Sequence, residues 1–72
     1  MNWDRIAGNW KQLKGRAQAQ WGKLTDDDFT TIDGRREQLA GLVQERYGIA
    51  KDKAEQQVAD WERSAEDSWF KR

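Results

Sequence analysis

The chain reads as all-α: a small bundle of three main helices plus one short helix, with no disulfides. Proline and cysteine are absent from the 72 residues. Apolar residues recur at helical rather than strand spacing, and glycine supplies the punctuation between periodic segments. A third observation says what would hold such a bundle together, namely five tryptophans at Trp3, Trp10, Trp21, Trp61 and Trp69. Leu, Ile, Val and Phe contribute only eleven residues between them. That scarcity accompanies disorder when the net charge is large, but here 13 basic residues face 13 acidic ones and the net charge is zero. Burying one indole, roughly 200 Å² at about 25 cal/mol per Å², contributes on the order of 5 kcal/mol before entropy is counted. The tryptophans are therefore expected to carry much of the core of a single marginally stable domain over residues 1–72, with 1–2 and 68–72 frayed.

On a helical wheel, Trp3, Ile6, Trp10, Leu13, Ala17 and Trp21 fall within one arc roughly 80° wide. This predicts one long amphipathic helix, with Asn2 as N-cap and Gly22 as its stop. Gly8, Gly15 and Gly22 recur every seven residues near the opposite pole. Each interior glycine costs a helix roughly 1 kcal/mol relative to alanine, so this helix is expected to form only when its indole face is docked. The row itself is read as a solvent-side feature, with close approach by a partner as the alternative.

Thr25 then stands as N-cap before Asp26, Asp27 and Asp28, where the helix dipole favours acid. A short helix runs to about Ile32 and breaks at Asp33-Gly34. A longer one follows from about Arg35 to Tyr47, with Ile32, Leu39, Leu42, Val43 and Tyr47 on one face and Gly48 as stop. The last helix, from about Lys51 to near Asp67, aligns Ala54, Val58, Trp61 and Ala65, with Trp69 close to their line.

The inventory of chemistry is thin, and neither histidine nor cysteine is available as ligand or nucleophile. Asp26, Asp28, Thr30, Ile32, Gly34 and Glu37 match positions 1, 3, 5, 7, 9 and 12 of a calcium loop, but Thr31 occupies position 6, where the sharp turn requires glycine. Helix capping is the better reading of those aspartates. No catalytic, cofactor-binding or metal-ligating residue is assigned, and the protein is expected not to be an enzyme. Residues 1–23 carry Arg5, Lys11, Lys14, Arg16 and Lys23 against Asp4 alone, while residues 24–34 carry four aspartates and no base. The basic segment is thus expected to meet the protein's own acidic one. Nucleic-acid binding through Arg35-Arg36 and these lysines, or membrane-surface binding by the basic amphipathic helix, ranks behind contact with a protein partner. The start Met1-Asn2-Trp3-Asp4-Arg5 shows no signal-peptide pattern, and no stretch approaches the ~20 apolar residues of a membrane span. A soluble cytoplasmic monomer is the expectation.

Taken together, Gly8-Asn9-Trp10-Lys11-Gln12, Lys14-Gly15, the run from Trp21 to Asp28, Gln44-Glu45-Arg46-Tyr47-Gly48 and Asp60-Trp61 closely resemble the CsbD-like family of small bacterial proteins. Arg35-Arg36 departs from that pattern, where a Lys-Arg pair would be expected, and so does the tail, 64–72. The resemblance implies a small helical fold and production under general stress, osmotic stress included. It implies no reaction and transfers no site residues. The resulting expectation is a noncatalytic stress-response protein acting by protein contacts or as a soluble protectant.

Arg46 lies between Leu42 and Val43 on the wheel, so its stem is expected to run along the core and its guanidinium to pair with an aspartate. Lysine lacks the planar fork, and Arg46→Lys is expected to lower the midpoint of thermal unfolding.

Overall fold

The computed structural model describes residues 3–68 of the chain, and among them every regular element is helical. The helices are α1 (Trp3–Gly8), α2 (Trp10–Gln20), α3 (Asp26–Ile32), α4 (Arg36–Tyr47) and α5 (Lys51–Ser68). The expected cap Asn2 and the rings of Trp69 and Phe70 lie outside the described residues. So do the ends expected to fray, apart from Ser68, which closes α5.

The long first helix is divided in two. Asn9 leaves helical geometry with φ −113° and ψ 22°. Its side-chain Nδ2 donates to the Arg5 carbonyl at 2.8 Å, and its backbone N–H is shared between the Arg5 and Ile6 carbonyls at 3.2 and 3.1 Å. An asparagine that bonds its own backbone competes with helix propagation, and Gly8 beside it weakens the same turn. The apolar register passes through the break undisturbed, which is why periodicity alone predicts one helix. At the far end, α2 stops one residue before Trp21, the C-cap, whose N–H still reaches the Ala17 carbonyl at 2.9 Å.

Thr25 begins α3 with a reciprocal cap: its hydroxyl accepts from the Asp28 N–H at 3.1 Å, and Asp28 accepts the Thr25 N–H at 3.0 Å. That satisfies two donors which a helix start otherwise leaves orphaned. The turn into α4 uses two residues in succession with positive φ, Asp33 at 52° and Gly34 at 79°. α4 ends on Gly48 in the left-handed region, its N–H bonded to the Gln44 carbonyl at 2.9 Å. The most extensive helix pairing is between α4 and α5; α3 packs on α4, α1 on α5, and α2 on α1 and α3.

The core is one cluster, with Ile6, Trp10, Leu13, Ala17, Trp21, Leu24, Phe29, Ile32, Leu39, Val43, Ala54, Val58, Trp61 and Ala65 all buried. Ala40 is buried with them, while Leu42 and Tyr47 are half-buried at its edge. Trp61 stands at the middle of the rings, 6.1 Å from Trp3, 6.4 Å from Trp10 and 5.5 Å from Trp21 between centroids, tilted or edge-on as the ring quadrupoles prefer. Three indole nitrogens are committed to acceptors within the protein. Trp3 Nε1 donates to the Gly34 carbonyl at 2.7 Å, Trp10 Nε1 to the Phe29 carbonyl at 2.8 Å and Trp21 Nε1 to Gln57 Oε1 at 3.0 Å.

The glycine row and Gly34 differ in what they demand. A Cβ placed on Gly8, Gly15 or Gly22 would meet nothing within 4 Å, so the row faces outward and internal packing does not require it. On Gly34 it would meet the Ala7 Cα at 3.2 Å, at a φ that side chains resist. Gly15→Ala is accordingly expected to stabilise the fold by up to about 1 kcal/mol. Gly34→Ala is expected to destabilise it by at least ~1 kcal/mol, from backbone strain alone. Urea denaturation of both variants checks the opposite signs.

Candidate functional site

Of the bases in 1–23, Lys14 meets the acidic segment, along a seam that joins α2, α3 and α4. From α2, Lys14 Nζ donates to Thr30 Oγ1 at 3.2 Å and lies 3.8 Å from Asp26 Oδ1. Asp26 is 74% exposed, so this pair is weak. The tighter junction is Asp28, only 14% exposed, whose Oδ1 accepts from Arg46 Nη2 at 3.0 Å while its Oδ2 holds the Thr25 N–H. One carboxylate thus closes the cap of α3 and ties it to the end of α4. The hydrogen bond from the Thr25 backbone is the main reason the Asp28 carboxyl titrates below its ordinary range. Burial opposes that shift, and the Arg46 guanidinium reinforces it by hydrogen bond and by charge.

Arg46 has the aspartate partner expected of it, but the residue is exposed rather than run into the core, and its second nitrogen sits 3.6 Å from Glu45, itself 70% exposed. The guanidinium bridges two carboxylates instead of gripping one with its fork. Lysine at this position would forgo the weaker contact first, which narrows the loss expected from Arg46→Lys.

Lys23 and Tyr47 form a second junction. The Lys23 N–H donates to the Tyr47 hydroxyl at 3.2 Å, and the ammonium of Lys23 stands 5.3 Å from the ring centre. Of the Arg35-Arg36 pair, Arg35 precedes α4 as an N-cap without a side-chain cap bond, and Arg36 Nε lies 3.6 Å from Glu62 Oε1. Glu62 is the buried charge that sequence reasoning passed over. Its side chain is 10% exposed and its Oε2 has no hydrogen-bond partner. The available signal was its place only about 40° from Val58 on the wheel. Its negative charge sits beside the first residue of α4, where an uncapped helix start favours an anion.

The calcium-like spacing comes apart in three dimensions. Asp28 is taken by Thr25 and Arg46, Thr30 by Lys14, Ile32 is buried in the core, and Gly34 lies in the turn under Trp3. Among the described residues no group of three or more acidic side chains is placed to hold a metal ion. Lys11 and Lys14 border a shallow groove of about 320 Å³ together with Gly8 and Asp33, and Arg16 borders another beside Gln57 and Asp60. No described helix is long and apolar enough to cross a membrane. What the arrangement does chemically is hold helices together through paired charge.

Because the folded pKa of Asp28 lies below its ordinary 3.8, the stability it contributes is fully present above that value and is lost as the pH falls through the folded one. The stability difference between the protein and its Asp28→Asn variant is therefore expected to be constant near neutrality and to shrink in acid below pH 3.8. Urea denaturation of both proteins across that range measures it, and a pH-independent difference would contradict the assignment.

A CsbD-like family model matches residues 4–56. The chain is 59% identical over 69 residues to UPF0337 protein YjbJ of Escherichia coli K12, covering 96% of this chain and all of that one. It is 63% identical over 62 residues to YjbJ of Salmonella typhimurium, covering 86% and 89% of the two chains. A UPF0337 protein of Rhodopseudomonas palustris is 59% identical over 61 residues, covering 85% of this chain and 92% of its own. Identity at this level across most of both chains, together with the family match, means that this protein belongs to the CsbD-like family.

Proposed function

We propose that the protein is a noncatalytic stress-response protein of the cytoplasm, acting through its hydrophilic surface by protein contacts or as a soluble protectant. The observation that carries this reading is the direction in which the aromatic side chains face. The rings of Trp3, Trp10, Trp21 and Trp61 pack on one another, and three of their N–H groups are spent on internal acceptors. Among the described residues the exposed positions are mostly charged, amide, hydroxyl and glycine residues, with Leu42, Tyr47 and Ile49 half-buried. An exterior of this kind suits an abundant solute or a partner of modest affinity, because apolar anchors are what concentrate binding energy at an interface. Membership of the family supports the stress setting.

The same disposition weakens the two competing readings. Stacking on bases or anchoring at lipid headgroups through Trp3, Trp10, Trp21 or Trp61 would draw on rings that the core already uses. Lys14, one of the cations available for phosphates, is engaged with Thr30 and Asp26.

The test has two arms. A labile enzyme dried or heated with increasing amounts of the protein is expected to retain more activity than with an equal mass of an unrelated soluble protein. If contacts dominate instead, cross-linking in osmotically stressed cells is expected to recover one recurrent protein partner. Failure of both arms would overturn the reading in favour of nucleic-acid or membrane binding, which salt-dependent DNA retention and vesicle flotation respectively detect.

A further inference from the structure

We propose that α1 is an exchangeable latch, able to leave its groove and fill the same groove of a second copy of this chain, so that two molecules pair by swapping α1 about Asn9. The proposal stands apart from the functional reading above and rests on the hinge, the catch and the continuity of the apolar face.

The hinge is a single residue. Trp3, Ile6, Trp10, Leu13, Ala17 and Trp21 hold one helical register through it, yet Asn9 itself sits at φ −113° and ψ 22°. Returning Asn9 to helical values near −63° and −42° would fuse α1 and α2 into one helix about 27 Å long. Its apolar stripe would be intact, but α1 would change direction and be carried away from its own α3–α4 turn. Within the hinge itself, the bend is held by the bond from Asn9 Nδ2 to the Arg5 carbonyl at 2.8 Å.

The catch reaches beyond the Trp10 ring of α2, which stands 6.3 Å from that of Trp3. Trp3 Nε1 donates to the Gly34 carbonyl at 2.7 Å, and its ring packs 6.1 Å from that of Trp61. Ala7 presses so closely on Gly34 that a Cβ there would stand 3.2 Å from its Cα, and Ile6 is wholly buried. Gly34 belongs to the turn before α4 and Trp61 to α5, so a neighbour's α1 can make the same contacts without new chemistry. Exchange of an identical element is complementary by construction. A hinge of one residue favours it further, since short connections strain the closed form and longer ones relieve it. The closed monomer keeps the advantage of an intramolecular contact, so pairing depends on protein concentration.

Asn9→Ala removes the side-chain bond that holds the bend and raises helix propensity in both copies. It is expected to tighten dimerisation about ten-fold over the parent protein, read by sedimentation velocity after refolding from urea at high concentration. Inserting Gly-Ser after Asn9 lengthens the hinge and is expected to leave a monomer with the same helix content. In a dimer made from labelled and unlabelled chains, the Trp3 indole proton is expected to show a cross-chain nuclear Overhauser effect to Gly34. An Asn9→Ala protein that stays monomeric overturns the proposal, as does a dimer whose Trp3 to Gly34 contact is entirely within one chain, or an insertion that dimerises equally well. Should Asn9→Ala fail to fold, the parent protein refolded at high concentration decides the matter, and an exclusively monomeric product counts against the swap.

Discussion

An indole taken out of water needs room for its rings and an acceptor for its N–H, and the architecture follows from meeting both needs several times over in a short chain. Trp61 supplies the room, with the rings of Trp3, Trp10 and Trp21 leaning on it from α1, α2 and the end of α2. The acceptors come from elsewhere: the last carbonyls of α3 and the turn behind it serve Trp10 and Trp3, and an amide on α5 serves Trp21. A donor left unpaired in such a cluster would cost about 1–3 kcal/mol. The short helix α3 and its turn are thereby fixed in place by the donors they accept from as well as by Phe29 and Ile32, both wholly buried in the core.

That dependence explains what the sequence made legible. The core stripe of α5 is visible because Ala54, Val58, Trp61 and Ala65 repeat at helical spacing, and each of them is buried. The start of α3 is visible because threonine followed three residues later by an acid is a local chemical signature, independent of the rest of the fold. Gly48 announces its left-handed turn for the same reason. The division at Asn9 is hidden because a one-residue irregularity hardly moves the apolar register. Ala40 is hidden because alanine carries little pattern whether buried or exposed. The indole acceptors lie 19 to 36 residues away in sequence, where no local rule reaches. The charge seam was only partly legible: segregation of bases in 1–23 from acids in 24–34 leads to the weak pair of Lys14 and Asp26, whereas the tighter bridge joins Asp28, which also serves as cap, to Arg46 of α4.

Polar economy runs through the rest of the molecule. The buried carboxylate of Glu62 is tolerable because it lies beside Arg36 at the positive end of α4, with only one oxygen left unpartnered. The ion pairs of Lys14 with Asp26 and of Arg46 with Asp28, which join helices across the surface, each involve at least one exposed group. Cohesion therefore comes from the ring cluster and from α4 against α5, and the outward glycine row places no steric demand on either.

The ring cluster also determines how the protein interacts with light. Indoles whose centres stand 5.5 to 6.4 Å apart are coupled in the excited state, so a photon absorbed by Trp3, Trp10, Trp21 or Trp61 belongs to the group before any one ring emits. Intrinsic fluorescence from these four rings is a collective signal. Its colour and intensity report whether the assembly of rings is closed, and a change in them cannot be assigned to a single tryptophan on the ground that only one was touched.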